Sequence, residues 1–271
     1  MTFMEKLSAI WRNNDSMVCV GLDPDRGKLP QCLKGCEYPI FEFNRAIVEA
    51  TAPYVCAYKP QAAYYAGQNA DAELAMTIDY IRERHPGIPV ILDVKRGDIG
   101  STAEQYAKEA FDRYRADAAT VNPYMGSDAL TPFLNYADHG VAVLCRTSNP
   151  SSRELQELVA GDKKIYEHVA VLARDVWNAH GNVMLVLGAT YPEELAAVRA
   201  LCPALPFLVP GVGAQGGDVE KVVHAGCMSD GYGLVINSSR GIIYASGKDD
   251  FAPAARNAAQ NLRDQIRAAG R

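Results

Sequence analysis

Short apolar runs alternate with longer amphipathic stretches from end to end of the chain, the pattern of parallel strands separated by helices. Eight runs read as strands: Val18 to Leu22, Val55 to Tyr58, Val90 to Val94, Ala118 to Val121, Val141 to Cys145, Val183 to Leu187, Phe207 to Val209 and Gly233 to Ile236. Helical patterning fills the spaces between them, as in Phe41 to Ala50, Asp71 to Arg84, Thr102 to Arg115, Lys164 to Ala179 and Pro192 to Leu201. A helix from Phe3 to Arg12 precedes the first strand, and one from about Pro253 to Ala268 follows the last. Eight β-then-α units in this length predict an α/β fold, a (β/α)8 TIM barrel forming one domain over residues 1–271, and fit an open doubly wound sheet less well.

Polar residues then fall in a telling place. Asp23 ends the first strand, Lys59 the second, and Asp93 and Lys95 the third; Ser148 follows the fifth, Pro210 and Gly211 end the seventh, and Arg240 follows the eighth. In a barrel these ends converge on one rim, where barrel enzymes keep their active sites. The run Leu92-Asp93-Val94-Lys95-Arg96-Gly97-Asp98-Ile99-Gly100-Ser101-Thr102 is the densest part. Alternation along the strand puts Asp93 and Lys95 on one face. Charges at the end of a buried strand are costly unless paired, so the cluster is either a structural ion pair or a reactive site. Lys95 between two carboxylates is favoured as the ammonium, hence as an acid and not as a Schiff-base nucleophile. Alternation does not fix the direction of Asp98, which could face its own barrel or a neighbour.

Composition narrows the function. The 271 residues are 48% hydrophobic and 22% charged, ordinary for a soluble protein. A net charge of −5 and a pI near 5.6 argue against a nucleic-acid surface, so any phosphate bound is small and locally held. The 7 cysteines, several inside apolar runs, read as buried thiols of a reducing compartment. Cys32 and Cys36 lack the second Cys/His pair that a metal site needs. The charged N-terminus does not read as a signal peptide and no run reaches membrane-spanning length, so the expectation is a cytoplasmic protein with no membrane partner.

Gly211-Val212-Gly213-Ala214-Gln215-Gly216 matches G-x-G-x-x-G, but a dinucleotide fingerprint opens its domain, whereas this loop follows the seventh strand of eight. It suits the phosphate loop of a barrel, with Asn237-Ser238-Ser239-Arg240-Gly241 after strand eight as its complement.

Asp93-x-Lys95-x-x-Asp98-Ile99-x-x-Thr102, with Lys59 and Asp23 on the two preceding strands, resembles orotidine 5′-phosphate decarboxylase, most closely its longer bacterial subgroup through Lys-Arg-Gly-Asp-Ile-Gly-Ser-Thr. The resemblance spans the chain, from Gly21-Leu22-Asp23-Pro24 through Tyr58-Lys59-Pro60 to Pro210-Gly211-Val212-Gly213 and Ser239-Arg240-Gly241. It implies cofactor-free decarboxylation of orotidine 5′-monophosphate to uridine 5′-monophosphate, the last step of pyrimidine nucleotide synthesis, with no metal. Carried over, Lys95 protonates the carbanionic carbon, Asp93 sits against the substrate carboxylate, and Lys59 and Asp98 complete an alternating charge network. Asp23 and Lys59 hold ribose hydroxyls, Ser148 the pyrimidine edge, and Gln215 and Arg240 the phosphate, beside Pro210. Asp98 and Thr102 reach the substrate of a neighbouring subunit, implying a homodimer with shared sites. Two departures stand out: Ser239 occupies a position where many shorter members carry glycine, and the stretch from Pro150 to Lys164 differs from compact members.

The chemistry agrees with these residue types. Loss of carbon dioxide from a pyrimidine carbon leaves an anion with no conventional electron sink, so catalysis must supply up to ~23 kcal/mol. A fixed ammonium beside that carbon is both an electrostatic stabiliser and a proton source. Barrel relatives that hold Mg²⁺ and a sugar phosphate with a similar Asp-x-Lys-x-x-Asp pattern want a metal-ligating acid near the second strand, where this chain has Lys59. A non-catalytic phosphate-binding barrel would need the glycine loops but not four charges at one point, and an NAD-dependent oxidoreductase would need a βαβ context that the Gly211 loop lacks.

Overall fold

The computed structural model describes residues 1–212 and 218–270. Eight parallel strands form its main sheet: β1 (Val18–Leu22), β2 (Ala57–Pro60), β3 (Ile91–Arg96), β4 (Ala118–Val121), β5 (Gly140–Arg146), β6 (Val183–Leu187), β7 (Phe207–Pro210) and β8 (Leu234–Ser238). Hydrogen-bonded order runs β2-β1-β8-β7-β6-β5-β4-β3, and parallel bridges from Tyr58 to Val90 and from Gln61 to Asp93 join the two ends into a barrel. Helices cover the outer face of the barrel and inward side chains fill its interior, so both faces are buried and the strands read as near-continuous apolar runs. The fold is the (β/α)8 barrel read from the sequence.

β2, β3 and β8 each end two residues beyond the apolar run that announced them, at Pro60, Arg96 and Ser238. Backbone pairing does not require apolar side chains, so the ladder continues into the polar residues of the rim. The helices expected after β3 and β5 are present as Gly100–Lys108 and Ile165–Leu172, each closing in a π-helical turn, Glu109–Arg113 and Ala173–Trp177. Helices Ser127–Leu134 and Val219–Gly226 complete the alternation. The stretch after β5 is built, not loose: a 3-10 turn Pro150–Ser152, a helix Arg153–Gln156, and an antiparallel pair of Val159–Ala160 with Lys163–Lys164.

The first helix, Phe3–Asn13, starts at a capping box in which Thr2 and Glu5 bind each other's backbone N–H. Its buried face closes the amino-terminal mouth of the barrel. Trp11 Nε1 donates to the Leu234 carbonyl at 2.9 Å, Lys6 Nζ pairs with Asp117 at 2.8 Å, and a Cβ on Gly140 would lie 2.3 Å from the Phe3 ring. With that end plugged, the opposite rim is left for chemistry. The expectation of buried thiols needs correction: Cys19, Cys56, Cys145 and Cys202 are buried, but Cys32 and Cys36 are exposed and Cys227 is half-buried. The exposed pair sits in the turns after β1, outside the packed strands that the apolar runs identified.

Candidate active site

Asp93 is the centre of the rim. Its side chain is buried at the end of β3, and each carboxylate oxygen accepts an ammonium: Lys59 Nζ on Oδ2 at 2.6 Å and Lys95 Nζ on Oδ1 at 2.6 Å. Thr120 of β4 donates its hydroxyl to Oδ1 at 2.8 Å. Burial alone would raise the carboxyl pKa, but the two lysines outweigh it and hold Asp93 well below the usual carboxylate range. Burial likewise opposes charge on Lys59, and Asp93, helped by Asp23, overcomes it and pushes the ammonium pKa upward. Both partners of this buried pair are therefore charged.

The two lysines differ in what they face. Lys59 keeps 5% of its side chain exposed, whereas Lys95 keeps 45% and has donors to spare. Lys95 also departs from the regular alternation that predicted its direction. The β3–β4 register slips between Leu92 and Arg96, so Asp93, Val94 and Lys95 stand opposite Thr120 alone, and Lys95 adopts φ +47°. A non-glycine residue in this region is uncommon and marks a constrained site. Asp93 and Lys95 still meet, through a bulge and not through a flat strand. Beyond it, a Cβ on Gly97 would lie 3.2 Å from Asn122, which explains the small residue at this crossing.

The remaining expected residues divide. Asp23 lies at the end of β1, and its buried Oδ1 has no hydrogen-bond partner among the described residues; the same holds for Thr190 Oγ1 after β6, Asn237 Oδ1 of β8 and Ser239 Oγ. Buried polar groups are ordinarily satisfied, so four on one rim mark a surface shaped for polar ligand groups. Gly21 permits their crowding, since its Cβ would stand 2.7 Å from Ser239 Cβ. Ser148 packs against Gly188 at the ends of β5 and β6, and Pro210 closes β7 before Gly211 at φ +100°. Arg240 is exposed and opens the short helix Arg240–Ile243. Gln215 lies outside the described residues.

Asp98 and Thr102 do not join the network within one chain. Asp98 Oδ1 accepts the Ile99 N–H at 2.8 Å and forms no ion pair among the described residues; Thr102 is exposed on helix Gly100–Lys108. Within one chain Lys95 thus faces one carboxylate, Asp93, and of the two directions left open for Asp98 the chain takes the outward one, since β3 ends at Arg96 and does not continue.

Sequence reasoning passed over two residues. Thr120 lies in Ala118-Ala119-Thr120-Val121, where its hydroxyl is the sole polar side chain of a fully buried strand. Arg146, at the end of β5, is 1% exposed and donates to Glu194, Glu157, Ser152, Gln156 and the Thr147 carbonyl. That network ties the Pro150–Gln156 excursion to helix Pro192–Leu201 beside Ser148. The signal for Arg146 was the one that flagged Asp93, a charge ending an apolar run.

A barrel carrying a lysine–aspartate–lysine array on its carboxyl rim, with unpartnered polar groups around it, has the architecture of an enzyme acting on a small anionic substrate. The sequence model of the Orotidine 5'-phosphate decarboxylase / HUMPS family matches residues 16–255, and the chain belongs to that family. It is 58% identical over 266 residues to orotidine 5'-phosphate decarboxylase of Ralstonia pickettii, covering 98% of each chain, and 55% identical over 271 residues to that of Cellvibrio japonicus, covering 99% of each. Among solved structures, Leishmania donovani OMP decarboxylase matches with a TM-score of 0.85 at 42% identity, over 99% of this chain and 98% of that one.

Proposed function

We propose that this chain, as one barrel domain, decarboxylates orotidine 5′-monophosphate to uridine 5′-monophosphate without a cofactor. The observation that carries this reading is Asp93 with an ammonium 2.6 Å from each oxygen, one ammonium buried and the other open to the rim. A substrate carboxylate against Asp93 meets like charge that lessens as carbon dioxide leaves. The bond between the ring carbon and the carboxylate breaks, and its electron pair stays on the ring carbon. Lys95 stabilises that pair and then gives it a proton, and solvent reprotonates the lysine. Asp23 and Lys59 hold ribose hydroxyls, Ser148 meets the pyrimidine, and Pro210, Gln215 and Arg240 serve the phosphate end. Binding energy from the phosphate offsets strain at the reacting carbon. Lys59 fills the position beside Asp93 where a Mg²⁺-dependent barrel relative would want a carboxylate, so that relative's metal chemistry is disfavoured here.

The active assembly in this reading is a cytoplasmic homodimer in which Asp98 and Thr102 of one subunit complete the site of the other. Support comes from the face around that loop: Ile99 is 54% exposed, Tyr124 76% and Met125 53%, beside a groove of about 630 Å³ between helices Gly100–Lys108 and Ser127–Leu134. Apolar side chains rarely gather exposed on a monomer. None of the helices among the described residues is long and apolar enough to cross a membrane. The deciding assay follows orotidine 5′-monophosphate by ultraviolet absorbance with and without excess EDTA. Equal turnover in both is expected; turnover abolished by EDTA and restored by Mg²⁺ would transfer the chain to the metal-dependent chemistry.

A further inference from the structure

Thr120 stands where β4 meets the bulge of β3. It is 1% exposed, and its Oγ1 lies 2.9 Å from the Val94 N, 2.9 Å from the Lys95 N and 2.8 Å from Asp93 Oδ1. A hydroxyl offers two lone pairs and one proton. Backbone N–H groups only donate, so the two amides take both lone pairs. The single proton is then committed to Asp93, which as a carboxylate only accepts. No freedom remains in this hydroxyl: every bonding capacity is used, and each use constrains a part of the reactive array.

We propose that Thr120 is a positioning residue for the decarboxylation, holding the Lys95 backbone in its left-handed turn and orienting Asp93 so that the Lys95 ammonium is presented at one point of the rim. The inference rests on the function proposed above. In a flat parallel pair, carbonyls of β4 would receive the amides of β3; where three residues face Thr120 alone, its side chain takes over that duty. The left-handed turn at Lys95 is disfavoured by its own Cβ and persists only where the surroundings over-determine it. Arg96 fixes the far side of the bulge, paired with Glu109 at 2.9 Å and lying over the Tyr106 ring at 4.5 Å. The bulge is thus pinned at both ends. With 1% of its surface exposed and its hydroxyl committed to the Val94 and Lys95 amides and to Asp93, Thr120 acts in this proposal through Lys95 and Asp93.

Thr120→Val keeps the shape and removes the hydroxyl, and Thr120→Ser keeps the hydroxyl and removes the methyl. Because a misplacement of about 1 Å can cost roughly 10²-fold, the Val variant is expected to lose kcat by about that factor while its affinity for uridine 5′-monophosphate changes less than about threefold. The Ser variant is expected to stay within about threefold of the parent in kcat, and Thr120→Val added to Lys95→Ala to slow the enzyme no further, since residues acting as a unit are not additive. Near-parental kcat in a folded Val variant, equal loss of kcat in Ser and Val, or a fully additive double variant would each overturn the proposal. Amide hydrogen exchange at Val94 and Lys95, read without substrate, covers a poorly folding Val variant: slow exchange is expected in the parent and the Ser variant, and unprotected amides there would refute the bridge. An inactive parent with both amides protected would sink the decarboxylase reading and leave the bridge standing.

Discussion

Two buried charge clusters lie on the same rim, and they are finished differently. Around Arg146 the protein satisfies itself: both ends of the guanidinium meet carboxylates, Glu194 and Glu157, and the remaining donors find Ser152, Gln156 and a carbonyl. Around Asp93 it stops short. Lys95 keeps nearly half its side chain in the open, and Asp23, Asn237 and Ser239 each carry a buried oxygen with no partner among the described residues. A saturated cluster stabilises a loop, whereas an unsaturated one is shaped for something outside the chain. Both clusters bury charge, so burial alone does not separate scaffold from site; what differs here is that the Asp93 cluster keeps an open ammonium and lies among unpartnered oxygens.

The sharpest way to break this contrast is Lys95→Ala. Turnover of orotidine 5′-monophosphate is expected to fall at least about 10³-fold, with thermal stability close to the parent, because the side chain is half exposed. Near-normal turnover would remove Lys95 as the proton donor. Next, if the active form is the proposed dimer with shared sites, Lys95→Ala and Asp98→Ala subunits combined in one dimer leave one of its two sites wholly native, so about half the parental rate per heterodimer is expected against nearly none for either homodimer. Purified heterodimers without that recovery would return Asp98 to its own barrel.

Arg146→Met tests the other cluster. It leaves Glu194 and Glu157 without their buried partner, and urea unfolding is expected to register a loss of about 4 kcal/mol. An unchanged midpoint would mean that saturation is no sign of a structural role. The smallest effect is a pH dependence. Asp93 has its pKa lowered on folding, so its stabilisation is present above the unfolded value of about 3.9 and is lost as pH falls through the folded value. Asp93→Asn is therefore expected to cost roughly 2–3 kcal/mol near pH 7, and the gap to the parent should narrow below about pH 4. A gap independent of pH would show that the carboxylate charge contributes nothing.

Much of this was legible in the sequence because the physics is local. β1, β4 and β6 begin and end where their apolar runs do, since a buried parallel strand needs apolar residues on both faces. Asp93 and Lys59 were legible because a charge ending such a run is anomalous. The bulge was not: nothing in Asp93-Val94-Lys95 signals that β4 will answer three residues with one, and the positive φ falls on a lysine, the opposite of the usual glycine cue. Thr120 was hidden because threonine is unremarkable in a strand until its bonding partners are known. The outward turn of Asp98 depends on Gly97 passing close over Asn122, a tertiary contact without a sequence periodicity. Sequence reasoning thus recovers the layout of the rim more readily than its local backbone.

The closure of the barrel bears on how the enzyme can change over generations. Strand ladders hold seven of its seams, while β2 and β3 are joined by only the Tyr58–Val90 and Gln61–Asp93 bridges, and Lys59 reaches across this same gap to Asp93. Active sites commonly sacrifice stability for activity, so substitutions there often make a protein sturdier. Here the charges to which the proposed reaction falls also fasten a seam held by two isolated bridges. On the proposed roles, a lineage that discards Lys59 or Asp93 alone leaves a buried charge unpaired and gains no compensating robustness, so selection for an intact barrel would guard the chemistry even when demand for the product lapses.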